Sequence, residues 1–211
     1  MMKLFIETID KAIDIENGIY QIKIENPITY RNIAINIDTE IILSNAGKII
    51  SLDKEVIIIH NPFNLDINDS KTIKALYKLL EKEIHGKLEN ELLIIEKVLF
   101  EISDKLILSS NINLDYEAQI DVSKLLSCLG IKYNTYDDYL SNLLQYIKIQ
   151  SNLFSKKIII FFGLSSMLSV DEINRLNVEL INNDISLIDI SFSIKNISNN
   201  SLIIDEDWCI L

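Results

Sequence analysis

The sequence predicts an α/β protein: a parallel-sheet head built from both ends of the 211-residue chain, with an all-helical leg inserted in the middle. Three observations predict it. Continuous β-branched runs, Val56–Ile59 and Ile158–Phe162, lie on either side of the middle third and read as strands buried on both faces. From Lys71 onward the apolar residues recur at helical spacing instead. Near the C-terminus, strand, helix and strand follow one another at lengths that imply a parallel crossover. The expected boundaries are 1–69 for the first part of the head, 70–154 for the leg and 155–211 for the second part of the head.

Taken in order, Gly18 precedes an apolar strand over 19–24 that Glu25, Asn26 and Pro27 end. Residues 29–37 predict a short helix and 40–43 a short strand, followed by a turn at Asn45-Ala46-Gly47. Val56–Ile59 is a strand bounded by Asn61 and Pro62. Asp66, Asn68 and Ser70 begin like a calcium loop, but the sixth position is Lys71 rather than Gly and the twelfth is Tyr77 rather than Glu. The stretch reads instead as a turn and helix cap, with Ser70 or Asp69 at the N-cap. Ile73, Leu76, Tyr77, Leu80 and Ile84 then share one helical face. Leu88, Leu92, Ile95, Leu99, Ile102 and Leu106 follow at steps alternating four and three. This is a heptad-like seam of about 27 Å, the spacing of helices packed in an antiparallel hairpin or bundle. A further helix spans 137–153. Beyond Ile158–Phe162, Ser169 and Glu172 form a capping box that opens a helix carrying Ile173, Leu176 and Leu180. Residues 185–190 and 202–204 are the last strands. There is no internal repeat and no low-complexity linker.

Composition sets outer bounds. Hydrophobic residues make up 48% and charged residues 24%, a globular balance. Residues 1–14 contain acids and no long apolar core, so they do not read as a signal peptide. The longest apolar runs fall well short of a membrane span, so a cytoplasmic protein without a membrane partner is expected. Cys128 and Cys209 sit on apolar segments without a pairing pattern and read as reduced core thiols. The net charge of −11 sits awkwardly with nucleic-acid binding, which in an acidic chain needs locally gathered lysines or bridging metal ions.

A head of this class invites a nucleotide hypothesis, yet no phosphate loop occurs: Gly18 and Gly47 stand alone, and Ile158–Phe162 is followed by Gly163 rather than an acid for magnesium. His60, at a strand end, reads as structural, and His85, beside Gly86, lies at a helix end, where a cation is mildly favourable. No serine nucleophile elbow is present. Two features keep functional interest. Lys71, Lys74, Lys78 and Lys82 fall within about an 80° arc opposite the apolar face. They form either the solvated back of a helix or a phosphate-tracking stripe. Asp115, Glu117 and Asp121 form either an acid-rich helix start or a hard-cation site.

Four stretches, in the same order, resemble the short ring-forming spacer-acquisition proteins of type II-A CRISPR systems. Residues 18–31, GIYQIKIENPITYR, are similar to that family's first strand and Glu-Asn-Pro turn. Residues 55–82 resemble its strand, Asn-Pro-Phe turn and first leg helix, 125–132, LLSCLGIK, its short leg helix, and 156–176 its late head strand and capped helix. The resemblance implies a head related to P-loop ATPases but lacking the nucleotide motifs, a helical leg, and a homotetrameric ring that holds calcium. It further implies non-catalytic, sequence-independent binding of double-stranded DNA ends during spacer acquisition, beside the CRISPR integrase proteins and the effector nuclease. Glu117 aligns with the family's acidic stretch, with Asp115 and Asp121 as near matches; Tyr116, Ala118 and Gln119 interrupt the run. Lys132, just after the matched Leu-Gly pair, becomes an expected DNA contact, together with Lys71, Lys74, Lys78 and Lys82 on the matched helix. Two other readings stay open: a metal-dependent nuclease or cryptic NTPase built from the same acids, and a protein-interaction scaffold whose acidic surface recruits basic partners.

Overall fold

A computed structural model of the chain describes residues 2–117, 119–192 and 201–206. β1 (Met2–Ile6) passes through a single 3-10 turn into β2 (Lys11–Ile15), and the two pair antiparallel with Met2 opposite Ile15. β3 (Gly18–Ile24) starts at a glycine with φ 101°, whose N–H donates to the carbonyl of Ile185 at 2.8 Å. A Cβ on Gly18 would fall 2.6 Å from Asn177 Oδ1, so backbone angle and space both require glycine. Asn26 caps α1 (Pro27–Ile35): its Oδ1 accepts from the amides of Ile28 and Thr29, and Pro27 takes the first turn, where no N–H is needed. α2 (Ile37–Glu40) leads into β4 (Ile41–Asn45), a turn at Ala46 and Gly47, and β5 (Lys48–Ile49). The one-turn α3 (Leu52–Glu55) precedes β6 (Val56–Ile59).

The helices α4 (Ser70–Lys87), α5 (Glu89–Ser109), α6 (Val122–Cys128) and α7 (Tyr139–Phe154) come next. β7 (Ile158–Phe162), the one-turn α8 (Leu164–Met167), α9 (Val170–Asn182), β8 (Ser186–Ser191) and β9 (Ser201–Ile204) complete the order. The capping box at Ser169 and Glu172 is formed as expected, with Ile173, Leu176 and Leu180 on the buried side of α9.

Two sheets result. Five parallel strands lie in the order β6-β7-β8-β3-β9, so the first strand of the sheet sits between the last two. A second, antiparallel sheet runs β2-β1-β4-β5. The two-residue period of a strand splits the core. Ile22, Ile24, Ile160, Phe162, Ile188 and Ile190 pack with Leu4, Ile6, Ile13, Ile15, Ile41 and Leu43 of the small sheet. Ile19, Ile159, Phe161 and Leu187 point the other way, onto α7, α8 and α9 through Leu143, Ile147, Leu164 and Leu176. Both faces of the parallel sheet are thus covered, which is why β6 and β7 read as unbroken apolar runs.

The contacts divide the chain into two compact units: residues up to Ile67 together with those from Thr135 on, and Asn68–Asn134. Helix α7 therefore belongs with the sheets, not with an insert running to 154. The Tyr139 hydroxyl donates to the Pro62 carbonyl at 2.9 Å, and burial pushes the Tyr139 pKa up to about 12.

Two expectations need correction. The seam on α5 is not packed in a bundle: of its six residues only Leu92 is covered, by Val122, Leu126, Tyr77, Leu80 and Ile84, because α4 and α6 meet only the first turns of α5. Cys128 is exposed, because it stands two residues beyond Leu126, about 200° round the helix from the buried face. Cys209 lies outside the described residues. Among the described residues, no helix is long and apolar enough to cross a membrane.

Candidate functional site

The lysines stand where the helical spacing puts them. Asp69, not Ser70, caps α4: one carboxylate oxygen accepts from the amides of Lys71 and Thr72 at 2.7 and 2.9 Å, the other from the Thr72 hydroxyl at 2.8 Å. Burial pushes the Asp69 carboxyl up, but these bonds outweigh it and hold the group below its ordinary range. The cap fixes the start of a helix whose inner side is Thr72, Leu76, Tyr77, Leu80 and Ile84. Lys71, Lys74, Lys78 and Lys82 are left exposed, and among the described residues no ion pair ties down Lys74, Lys78 or Lys82. Lys132 is also exposed, one residue after Ile131, whose carbonyl accepts from the Tyr77 hydroxyl of α4 at 3.0 Å.

The acids come together only in part. Glu117 and Asp121 line an open hollow of about 520 Å³ with Glu81 and His85 of α4 and Glu96 of α5. Asp115 does not line it; its carboxylate accepts from the Tyr116 amide at 2.8 Å. Asp121 caps α6 by accepting from the Lys124 amide at 3.0 Å, so the helix-start reading holds for that residue. The carboxylates of this hollow are hard oxygen donors, the kind calcium takes. Among the described residues, however, no three His, Cys, Asp or Glu side chains stand close enough to hold an ion. Glu81 and Glu96 were not singled out by the sequence, since they lie 19 or more residues away from the acidic stretch and reach it only through the packing of α4 and α5.

A third feature lies at the carboxyl ends of the parallel strands, where ligands of open α/β sheets bind. Between the last residue of β3, Ile24, and the first of α1, Pro27, there are only Glu25 and Asn26, too few to wrap a phosphate. Aromatic side chains gather there. His60 stacks on Phe162 with ring centroids 4.8 Å apart, and Tyr30 meets Phe162 edge-on at 6.0 Å and Phe192 at 4.2 Å.

On the other face of the sheet, that of Leu187 and Leu164, Asp189 is fully buried in β8. One oxygen accepts from the Leu164 amide at 3.0 Å and the Ser191 hydroxyl at 2.6 Å; the other accepts from the Ser165 amide at 3.0 Å and the Ser165 hydroxyl. The Ser165 hydroxyl also accepts from Gln21 Nε2 at 2.6 Å, and Gln21 Oε1 is buried without a partner among the described residues. Burial pushes the Asp189 carboxyl up, against the pull of its four donors, and burial together with the Asp189 charge raises the Tyr30 phenol. Asp189 thereby locks the turn after β7 onto β8. The sequence reading passed over it, although an acid inside an otherwise apolar strand is the signal that could have found it.

Set against known families, residues 35–208 match the profile of the family described as CRISPR-associated protein (Cas_Csn2). A CRISPR-associated protein Csn2 from Enterococcus faecalis is 28% identical over 160 residues, which cover 73% of this chain and 71% of the relative.

Proposed function

The chain belongs to the CRISPR-associated Csn2 family, and on that premise we propose that it is a non-catalytic spacer-acquisition protein that binds double-stranded DNA ends without reading their sequence. The observation that carries the reading is the α4 lysine row, Lys74, Lys78 and Lys82, exposed and without ion pairs among the described residues on an otherwise acidic chain. One turn of helix advances 5.4 Å, so the row offers charges at intervals suited to phosphates rather than to base edges. No zinc module or base-reading helix accompanies it.

The head supports the non-catalytic part. Its strands, numbered within the sheet, run 2-3-4-1-5; we take this parallel sheet as the scaffold that the proposal relates to P-loop ATPases. The connection after the first of them is two residues long, and aromatic rings cluster just beyond the carboxyl ends of the strands. We extend the proposal to a homotetrameric ring that threads DNA ends in the cytoplasm and works beside the integrase proteins and the effector nuclease. Calcium belongs to the same proposal: Glu117 and Asp121, with Glu81 and Glu96 in the same hollow, would have to draw closer together to supply its carboxylate oxygens, since no three of them stand near enough to hold an ion in this arrangement.

The test is a salt titration of binding to linear and to covalently closed circular duplex, with parent protein and Lys74→Glu/Lys78→Glu. Linear DNA should bind better than circles. The double variant should bind more weakly on every sequence, with a log–log salt slope flatter by roughly two units, about one per lost phosphate contact. Equal binding to circles rules out threading, and unchanged affinity in the variant removes α4 from the DNA surface.

A further inference from the structure

Asn17-Gly18 is the one Asn-Gly pair in the sequence, and it stands where the two-residue link after β2 enters β3. Asparagine before glycine is the arrangement most prone to lose its side-chain amide, because glycine has no side chain to keep its own nitrogen away from the asparagine carbonyl. The Gly18 nitrogen attacks Cγ of Asn17 and gives up its proton to solvent. The N–Cγ bond forms, the Cγ–Nδ2 bond breaks, and Nδ2 leaves as ammonia. Water then opens the cyclic imide. Opening at Cγ leaves aspartate; opening at the main-chain carbonyl leaves isoaspartate, whose chain runs on through Cγ. Water is the only co-reactant, and nothing is oxidised or reduced.

The fold decides when this can happen. Asn17 is exposed, so water reaches it. The attacking nitrogen is not free: Gly18 is buried, and its N–H donates to the Ile185 carbonyl at 2.8 Å. The asparagine amide is held at both of its ends. Its Nδ2 donates to Asp184 Oδ1, and its Oδ1 accepts from the Ser186 hydroxyl, each at 3.3 Å. All three partners lie where the chain leaves α9 for β8, and Gly18 opposite Ser186 is the first pair of the β3–β8 ladder. Ring closure must therefore wait until this end of the ladder opens, and the ends of elements open locally without global unfolding.

Neither product restores the original closure. Aspartate at 17 sets a carboxylate against Asp184 where an amide had donated, a like charge in place of a hydrogen bond. Isoaspartate adds a methylene to the main chain directly before Gly18, whose φ of 101° and close packing against Asn177 depend on the chain arriving at one place.

We propose that Asn17 is a site of spontaneous deamidation, guarded by the closed end of the β3–β8 ladder, and that the reaction once made holds that end loose. It needs no enzyme and no partner, so it stands independently of the DNA-binding reading.

The experiment ages the full chain at neutral pH, in buffer and in urea strong enough to unfold it. Peptide mass spectrometry reads conversion of amide to acid at position 17, and chromatography separates aspartyl from isoaspartyl peptides. In urea Asn17 should convert ahead of the other asparagines. In buffer its conversion should be slower by roughly tenfold or more. Asn177→Ala removes the acceptor of the Ile19 amide next to the pair and should speed conversion in buffer by roughly fivefold. Asn17→Asp, which is the aspartyl product made directly, should melt below the parent, and adding Asp184→Asn should recover most of the loss. Conversion as fast in buffer as in urea, or unchanged by Asn177→Ala, overturns the guarding. An Asn17→Asp protein that melts with the parent overturns the loosening. A chain that keeps its amide at 17 even in urea overturns the site.

Discussion

Replacing Gly18 with alanine should destabilise the head by about 1–3.5 kcal/mol, and the terms can be worked out separately. A φ of 101° is foreign to residues with a side chain, and strain of this sort costs about 1–3 kcal/mol. The new Cβ would fall 2.6 Å from Asn177 Oδ1 and 3.0 Å from Ile181 Cγ1. Asn177 must therefore move, and its 2.7 Å acceptance from the Ile19 amide is lost, at about 1 kcal/mol. Alanine recovers a few tenths of a kcal/mol or more by restricting the unfolded chain, about 0.4–1 kcal/mol at most. For a chain of this size the net loss should lower the melting temperature by roughly 2–14 °C. Thermal unfolding by circular dichroism reads it directly. Asn177→Ala separates clash from strain: alone it should cost about 1 kcal/mol, and with Gly18→Ala the total should fall short of the sum by a similar amount. A Gly18→Ala protein that melts within a degree of the parent, or a double variant whose costs simply add, would refute the close approach on which the reasoning rests.

Asp189→Asn should cost roughly 2–4 kcal/mol, because an amide cannot accept from all four donors and leaves at least one buried N–H unpaired. Because the folded-state pKa of Asp189 is raised, its share of stability is present at low pH and lost as pH rises through that value, so the gap to the variant should narrow with rising pH; a widening gap in urea melts would show that hydrogen bonding, not burial, governs the group. Asp69→Ala should cost about 1 kcal/mol as the loss of an N-cap. Here the folded-state pKa is depressed, so the difference should be full above the ordinary carboxylate range and fade as pH falls through the folded value, as followed by the same melts. Calcium should raise the melting temperature of the parent more than magnesium does, and Glu117→Ala should diminish the calcium shift; a variant that keeps all of it shows that Glu117 is not a ligand.

Local chemistry was legible in the sequence wherever one short stretch carries its own cause. The capping box at Ser169 and Glu172, the buried strands Val56–Ile59 and Ile158–Phe162, and the inner face of α4 all formed as expected. What escaped depended on distant partners. The antiparallel sheet of β1, β2, β4 and β5 joins short strands whose alternation, with Leu4, Ile6, Ile13 and Ile15 inward, makes sense only once a second sheet covers them. The α5 seam has core spacing yet no core, because spacing tells what a face can pack against and not whether that partner is in the same chain. The allegiance of α7 was hidden for the same reason: Leu140, Leu143 and Ile147 suit any apolar surface, and the one they find belongs to the parallel sheet. At the candidate site the lysine row was visible as a period, whereas the grouping of Glu81 and Glu96 with Glu117 required folded helices.

The position of β3 has a consequence for how the protein is made. Its neighbours on either side, β8 and β9, begin about 170 residues later in the chain. At roughly 5–20 residues per second of synthesis, β3 waits about 8–34 s for its first hydrogen-bonded neighbour. The strands of the antiparallel sheet all fall within the first fifty residues and can pair long before that, as can the helices of Asn68–Asn134. Such long-range parallel pairing is intrinsically slow, because loop-closure entropy is spent before any contact repays it. On the ribosome, therefore, a nascent chain of this protein carries finished modules at its start and middle around an unpaired strand that holds Ile19, Ile22 and Ile24. That interval is when chaperone dependence and premature strand-to-strand aggregation should be greatest.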